Sequence, residues 1–240
     1  MIPNVEVRAV SHRTKIGISV WLASDMVRLG LFLGVCLGSP SVGAAGTVEW
    51  QSVSDDGFAQ ISARAVDGTS VQELRVSAVM KIPAERLIAV IGDVDHYPAF
   101  MPPTQEVLSL GREGNTGRWY IVIDPPLIHR RDYCVQITID RLPGGVMQSR
   151  FHRWDQGCPP ERPGLVRMHR VEGSWRLTPL ADGTTQVVYQ AITDPAGQVP
   201  TWMVNRAGGN SIRDMFRSLE RAASNPSISA CPGTSLGCKP

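Results

Sequence analysis

The chain has 240 residues, 42% of them hydrophobic and 19% charged, with a formal net charge of +2. That composition suits a soluble globular protein with a sizeable core, in one large domain or two small ones. So small a charge, without any run of Lys or Arg to track phosphates, excludes nucleic acid as an expected partner.

The first segment reads as an address. Residues 29–37, LGLFLGVCL, are an apolar run too short to span a bilayer. Arg28 precedes the run, and small residues follow through Ser41, Val42, Gly43, Ala44 and Ala45. This order of positive, apolar and small residues is that of a secretory signal peptide, cleaved after Ala44 or Ala45. Met26 opens an ordinary signal of its own (MVRLGLFLGVCLG), so translation starts at either Met1 or Met26. Cleavage after Ala44 would remove four of the 24 basic and two of the 22 acidic side chains, leaving 20 of each. A formally neutral mature chain has little charge steering toward an anionic membrane. Cys134, Cys158, Cys231 and Cys238 remain, an even number in an oxidising compartment, and they allow three pairings. Cys231 and Cys238 bracket a flexible PGTSLG segment and are the favoured pair; no preference is assigned to Cys134 with Cys158.

Residues 48–65 hold short strand-like pieces around the Asp56-Gly57 turn signal, and residues 74–80 alternate with period two as a further strand. Pro83 opens a helix, where a missing N–H does no harm. Over 84–94 (AERLIAVIGDV) that helix puts Leu87, Ile88 and Ile91 on one side, and Tyr97-Pro98 and Pro102-Pro103 stop it. From Gly117 the pattern is strand and turn: 118–123, 133–139, 146–154, 165–171, 174–180 and 184–189. Asp182-Gly183 between the last two is a hairpin signal, because that pair tolerates positive φ. Sequential strands joined by short turns predict an antiparallel sheet. Pro200 begins the longest helix, 201–224, in which Val204, Gly208, Ser211, Ile212, Met215 and Leu219 form one stripe at helical spacing. Gly208 and Gly209 inside it cost about 1 kcal/mol each relative to Ala, which close approach of backbone or ligand would offset. The fold class expected is α+β, a curved antiparallel sheet wrapped around a long C-terminal helix.

Several pieces then resemble one family. Arg131-Asp132-Tyr133 resembles the Arg-Asp-Phe signature of START domains, the lipid-transfer family related to the steroidogenic acute regulatory protein. Gly173-Ser174-Trp175-Arg176-Leu177 and Asp182-Gly183-Thr184-Thr185 are similar to that family's late hairpin. Residues 194–200, DPAGQVP, followed by Trp202-Met203-Val204-Asn205, are similar to its entry into the last helix. The four pieces occur in the family's order across most of residues 47–223. The resemblance implies a helix-grip fold whose tunnel, between sheet and last helix, holds one lipid, sterol or other hydrophobic small molecule. The carrier expected is a monomer without a cofactor that touches membranes transiently.

The stripe of Val204, Gly208, Ser211, Ile212, Met215 and Leu219 is the surface that would face the tunnel; the plain alternative is that these six pack on the sheet. In the family's sterol-binding members a buried Arg lies six positions beyond the signature Arg. Here that position is Ile137, so a polar anchor must come from elsewhere. Arg131 and Asp132 read as structural, pointing to opposite faces of a strand and needing separate partners. The loop 124–130 carries Leu127 and Ile128 between Pro-Pro and a basic pair, the makings of a lip that touches membrane; two core residues in a buried loop are the alternative.

Neither a His-Glu-x-x-His pattern, nor a Gly-x-Ser-x-Gly elbow, nor a phosphate-binding glycine loop occurs. No catalytic or metal-binding residue is assigned. The rival to a carrier is a helix-grip cyclase or hydrolase acting on a polyketide-like substrate, which requires a titratable pair in the tunnel. His152 and His169, both in strand-like runs, are the candidates for it. A third reading is a sensor whose ligand controls an association. The organisation expected is a signal over 1–45, a lipid-binding domain over 46–223 and a mobile tail over 224–240, with the mature protein exported to the periplasm or secreted.

Overall fold

The structure, a computed structural model, describes residues 49–69, 71–197, 201–225 and Leu236, with the backbone alone over 201–210. All of these belong to one unit, Gly46–Pro240.

Ten strands form one sheet: β1 (Gln51–Asp55), β2 (Ala59–Ala65), β3 (Gln72–Met80), β4 (Thr104–Glu113), β5 (Thr116–Ile123), β6 (Arg131–Arg141), β7 (Met147–Arg153), β8 (Val166–Arg167), β9 (Arg170–Pro179) and β10 (Thr185–Asp194). Among the described residues three α-helices accompany them: α1 (Ala84–Ile91), the single turn α2 (Tyr97–Phe100), and α3 (Thr201–Ser224). Along the sheet the order is β1-β2-β3-β10-β9-β7-β6-β5-β4, every neighbour antiparallel, while β8 pairs in parallel with the start of β6. The sheet is large and curved, and with α3 it makes the α+β helix-grip architecture expected.

Local chemistry explains the joints. Asp56 accepts the N–H groups of Phe58 and Ala59, and Gly57 at φ 77° turns β1 into β2. The β9–β10 hairpin turns at Gly183, φ 81°, where Asp182 accepts both the N–H and the hydroxyl of Thr184. Pro83 caps α1, whose buried side chains are Ala84, Leu87, Ile88, Ala89, Val90 and Ile91. Gly92, not Tyr97-Pro98, ends α1; Tyr97 instead starts α2 and donates its hydroxyl to the Ile91 carbonyl at 2.6 Å. The α1 side chain of Arg86 bonds the carbonyls of Ala223 and Asn225, tying α1 to the last turn of α3.

Two strand expectations change. The run 165–171 is not one strand: Val166–Arg167 pairs with β6, and Arg170 already belongs to β9. Thr104–Glu113 forms an edge strand that the sequence patterning did not single out.

The main core lies between the sheet and its helices, with Trp119, Phe216, Ile61, Met80, Leu87, Ile88, Ile91, Met147, Leu177 and Leu219 among its fully buried side chains. Leu236 packs against this core and donates its N–H to the Gly92 carbonyl at 3.3 Å. Cys231 and Cys238 lie outside the described residues, as do residues 1–45. The described disulfide joins Cys134 to Cys158. Among the described residues no helix is long and apolar enough to cross a membrane.

Candidate functional site

A strand shows alternate side chains to opposite faces, and β6 displays this most plainly. Arg131, Tyr133, Val135 and Ile137 face one way and line a cavity of about 340 Å³ on the α3 side of the sheet. That volume sits at the low end of the ~300–1,000 Å³ range for small-molecule sites. The neighbours of β6 repeat the pattern: Ile121 and Ile123 of β5, Phe151 of β7, Val171 and Trp175 of β9, and Tyr189, Ala191 and Thr193 of β10 also line it. Gly173 of β9, between Val171 and Trp175, has no room for a side chain. A Cβ there would lie 2.3 Å from the Gln190 carbonyl oxygen and 2.7 Å from the Phe151 ring.

The helix closes the cavity with Ser211, Ile212 and Met215. Of the six stripe residues, these three share the cavity wall. Leu219, one turn further on, is fully buried in the core instead, beside Phe216 and outside the cavity lining. At Val204 and Gly208 only the backbone is described. Trp175 stands against Tyr189, centroids 4.5 Å apart, and against Phe216 at 5.3 Å, so the wall passes into the core through aromatic contacts.

The loop 124–130 splits the pair proposed for its tip. Ile128 joins Pro125 and Pro126 in the cavity wall, whereas Leu127 is 85% exposed with φ 70°.

Polar groups in the wall are few. Tyr97, Tyr133, Tyr189 and Arg131 are its titratable side chains, and the described lining contains neither carboxylate, histidine nor cysteine. Burial pushes the Tyr133 phenol up to about 12 and also raises Tyr97 and Tyr189, so all three stay neutral at physiological pH. Arg131 is 2% exposed and reaches two backbone carbonyls, Nε to Pro195 at 3.4 Å and Nη1 to His129. Desolvation pulls its pKa down. No carboxylate among the described residues forms an ion pair with it.

The other face of β6 is a closed fastening. The Asp132 carboxylate is buried and accepts Arg167 Nε at 2.9 Å, Arg167 Nη2 at 3.0 Å and the Tyr120 hydroxyl at 2.9 Å. That hydrogen bond holds the Arg167 pKa above its usual value. Arg167 also bonds the Pro159 carbonyl and approaches Cys158 Sγ, while Cys158 is covalently joined to Cys134 of β6. Tyr120, Val122 and Cys134 form a small second core with Leu110, Cys158 and Leu165 under the Pro-rich loop. Asp132 is thus structural, as read from the sequence, but Arg131 belongs to the cavity wall. Strand parity separates the two residues; which of them faces inward is decided by where α3 packs.

The histidine pair considered for catalysis is not at this site. His152 is exposed, one residue from the inward-facing Phe151 and opposite Glu172 in the β7–β9 ladder; His169 is exposed too.

Comparison with known proteins agrees with this geometry. Residues 80–220 match the family described as "Polyketide cyclase / dehydrase and lipid transport". An uncharacterised Pseudomonas aeruginosa protein is 25% identical over 198 residues, covering 81% of this chain and 98% of that one. The granaticin polyketide synthase bifunctional cyclase/dehydratase of Streptomyces violaceoruber is 31% identical over 121 residues, but these cover 48% of this chain and 33% of that protein. Among solved structures, a STAR-related lipid transfer protein from Xanthomonas axonopodis has a TM-score of 0.67 at 24% identity, covering 73% of this chain and 99% of that one. The chain belongs to the polyketide cyclase/dehydrase and lipid transport family, with a START-like fold.

Proposed function

We propose that the protein is a non-catalytic carrier that holds a single apolar or amphipathic molecule between its sheet and α3. The observation that carries this reading is the cavity wall: apolar and aromatic on six strands and a helix, and without a described group that titrates near neutral pH. General acid–base chemistry needs such a group within reach of the reacting atoms. The similarity to a lipid transfer protein supports the same reading.

The energetics suit carriage. Burying an acyl chain gains about 0.8 kcal/mol per methylene, so sixteen carbons contribute on the order of 13 kcal/mol gross. Leaving a bilayer forfeits nearly the same amount. Apolar contact therefore lets the ligand exchange, and selection falls to cavity shape and a few polar groups. Leu127, exposed beside the wall residues Pro126 and Ile128, is the side chain we assign to transient membrane contact.

Export to the periplasm is part of the proposal. It is supported by the signal-like residues 28–45 and by the Cys134–Cys158 disulfide, which persists in oxidising compartments. Uncleaved chain retained in the cytoplasm of an expressing cell would count against it.

Native mass spectrometry of the full chain, followed by solvent extraction and lipid identification, tests the carrier. One co-purifying apolar molecule per protein is the expected result. A protein that emerges empty and takes up neither sterols, fatty acids nor phospholipids contradicts it. A second reading, a cyclase or dehydratase, is favoured by the resemblance to the granaticin enzyme. Turnover of a polyketide-like substrate that vanishes in Tyr133→Phe, which removes a hydroxyl of the cavity wall, would establish it over the carrier.

A further inference from the structure

Arg131 is out of place in an apolar wall. A buried cation is costly unless a charge or a full set of hydrogen bonds compensates it. Its five N–H donors meet two neutral backbone carbonyls, one of them at 3.4 Å, beyond the usual 2.7–3.2 Å of a good N–H···O bond. Nη2 has no hydrogen-bond partner among the described residues, yet it is not sealed in the protein. The contrast with Arg167, on the other face of the same strand pair, is direct: that guanidinium is matched to a carboxylate through Nε and Nη2. The corresponding edge of Arg131 is the one that lacks an anion.

The surroundings say what shape of molecule would supply it. From Arg131 the inner face of β6 continues through Tyr133, Val135 and Ile137, a six-residue step that spans roughly 20 Å of strand. Beyond Arg131 this line is apolar apart from the Tyr133 hydroxyl, and it leads along the wall that α3 closes with Ile212 and Met215. A cavity of about 340 Å³ is small for a ligand with several chains.

The geometry points to Arg131 as the anchor for the anionic head group, carboxylate or phosphate, of a single-chain amphiphile whose tail runs along the inner face of β6. This assignment rests on the carrier reading and adds to it the chemical class of the cargo. A planar guanidinium suits both anions, because each can accept two parallel N–H bonds from one edge.

The test is a displacement titration of the full wild-type chain with three probes sharing one tail: hexadecanoate, hexadecyl phosphate and hexadecan-1-ol, at pH 8. At least one anion is expected to bind about tenfold or more tightly than the alcohol, as a charge-assisted hydrogen bond gives; which anion wins identifies the source of the head group. In Arg131→Met the ratio of anion to alcohol affinity is expected to fall to about one, and in Arg131→Lys to an intermediate value. Equal binding of all three probes by the wild type overturns the anchor and leaves the carrier standing. Failure of all three to bind overturns both. Thermal melts accompany the variants, and should Arg131→Met not fold, the wild-type ranking decides alone.

Discussion

The two faces of β6 carry opposite kinds of chemistry, on residues that alternate one by one along the strand. Outward, Asp132 and Cys134 are locked: the carboxylate by Arg167 and Tyr120, the sulfur by its disulfide to Cys158. Inward, Arg131, Tyr133, Val135 and Ile137 border a cavity, and among the described residues the one charge in this row has only backbone carbonyls for partners. One strand thus serves stability on one side and ligand contact on the other. Polar groups buried for structure are paired with each other; polar groups kept for a ligand are left incompletely paired.

The largest effect that would break this comparison is at Asp132. In Asp132→Ala, the half-buried Arg167 and the Tyr120 hydroxyl both lose their carboxylate partner, and we expect a loss of about 3 kcal/mol in urea denaturation. The discrimination between anionic and neutral probes should persist, since that residue faces away from the cavity. A loss below about 1 kcal/mol would mean that the outer face is not the fastening. Next comes the disulfide, which closes a loop of sequence separation 24. The double variant Cys134→Ser, Cys158→Ser should lose about 3 kcal/mol in the same denaturation. Inner-face substitutions should behave in the reverse way. Ile212→Phe, directed at the cavity, is expected to change stability by less than about 1.5 kcal/mol while lowering ligand uptake about tenfold.

The smallest effect lies away from both faces. His96 Nδ1 is 2.7 Å from Asp93 Oδ1, and that hydrogen bond raises the imidazole pKa above its ordinary 6.5. A raised folded pKa gives stability that is fully present below 6.5 and is lost as pH rises through the folded value. With the histidine side chain 59% exposed, the contribution is small and is best read as an NMR titration rather than a melt. The expected shift above 6.5 should shrink in Asp93→Asn.

Most strands and both longer helices were legible because their patterning is regular: alternation over 74–80, the Asp56-Gly57 and Asp182-Gly183 turns, and the stripe of the last helix. Thr104–Glu113 escaped because it is an edge strand with exposed or half-buried residues throughout and two register irregularities, so its alternation is broken. Residues 165–171 misled because Val166–Arg167 is held by β6, a partner distant in sequence. For the site, periodicity found Ser211, Ile212 and Met215 but could not separate them from Leu219. A helix stripe is apolar whether it meets a cavity or a packed sheet, and the two are told apart only by the folded chain, which puts Leu219 in the closed core. The residues that sequence reasoning missed came from the sheet. Tyr133, Tyr189 and Trp175 belong to strands whose inner face is defined by pairing, and the Cys134–Cys158 link depends on how the Pro-rich loop folds over β6.

The central claim, that an apolar chain occupies the space between the sheet and α3, is tested most directly by photolabelling. The full chain would be irradiated with hexadecanoate bearing a mid-chain diazirine, and the adducts mapped by peptide mass spectrometry. The account predicts adducts on inner positions of β6, β10 and α3, with Tyr133, Val135, Tyr189, Ile212 and Met215 foremost. Adducts confined to exposed apolar side chains such as Leu127 and Leu108, with none on those inner positions, would contradict it.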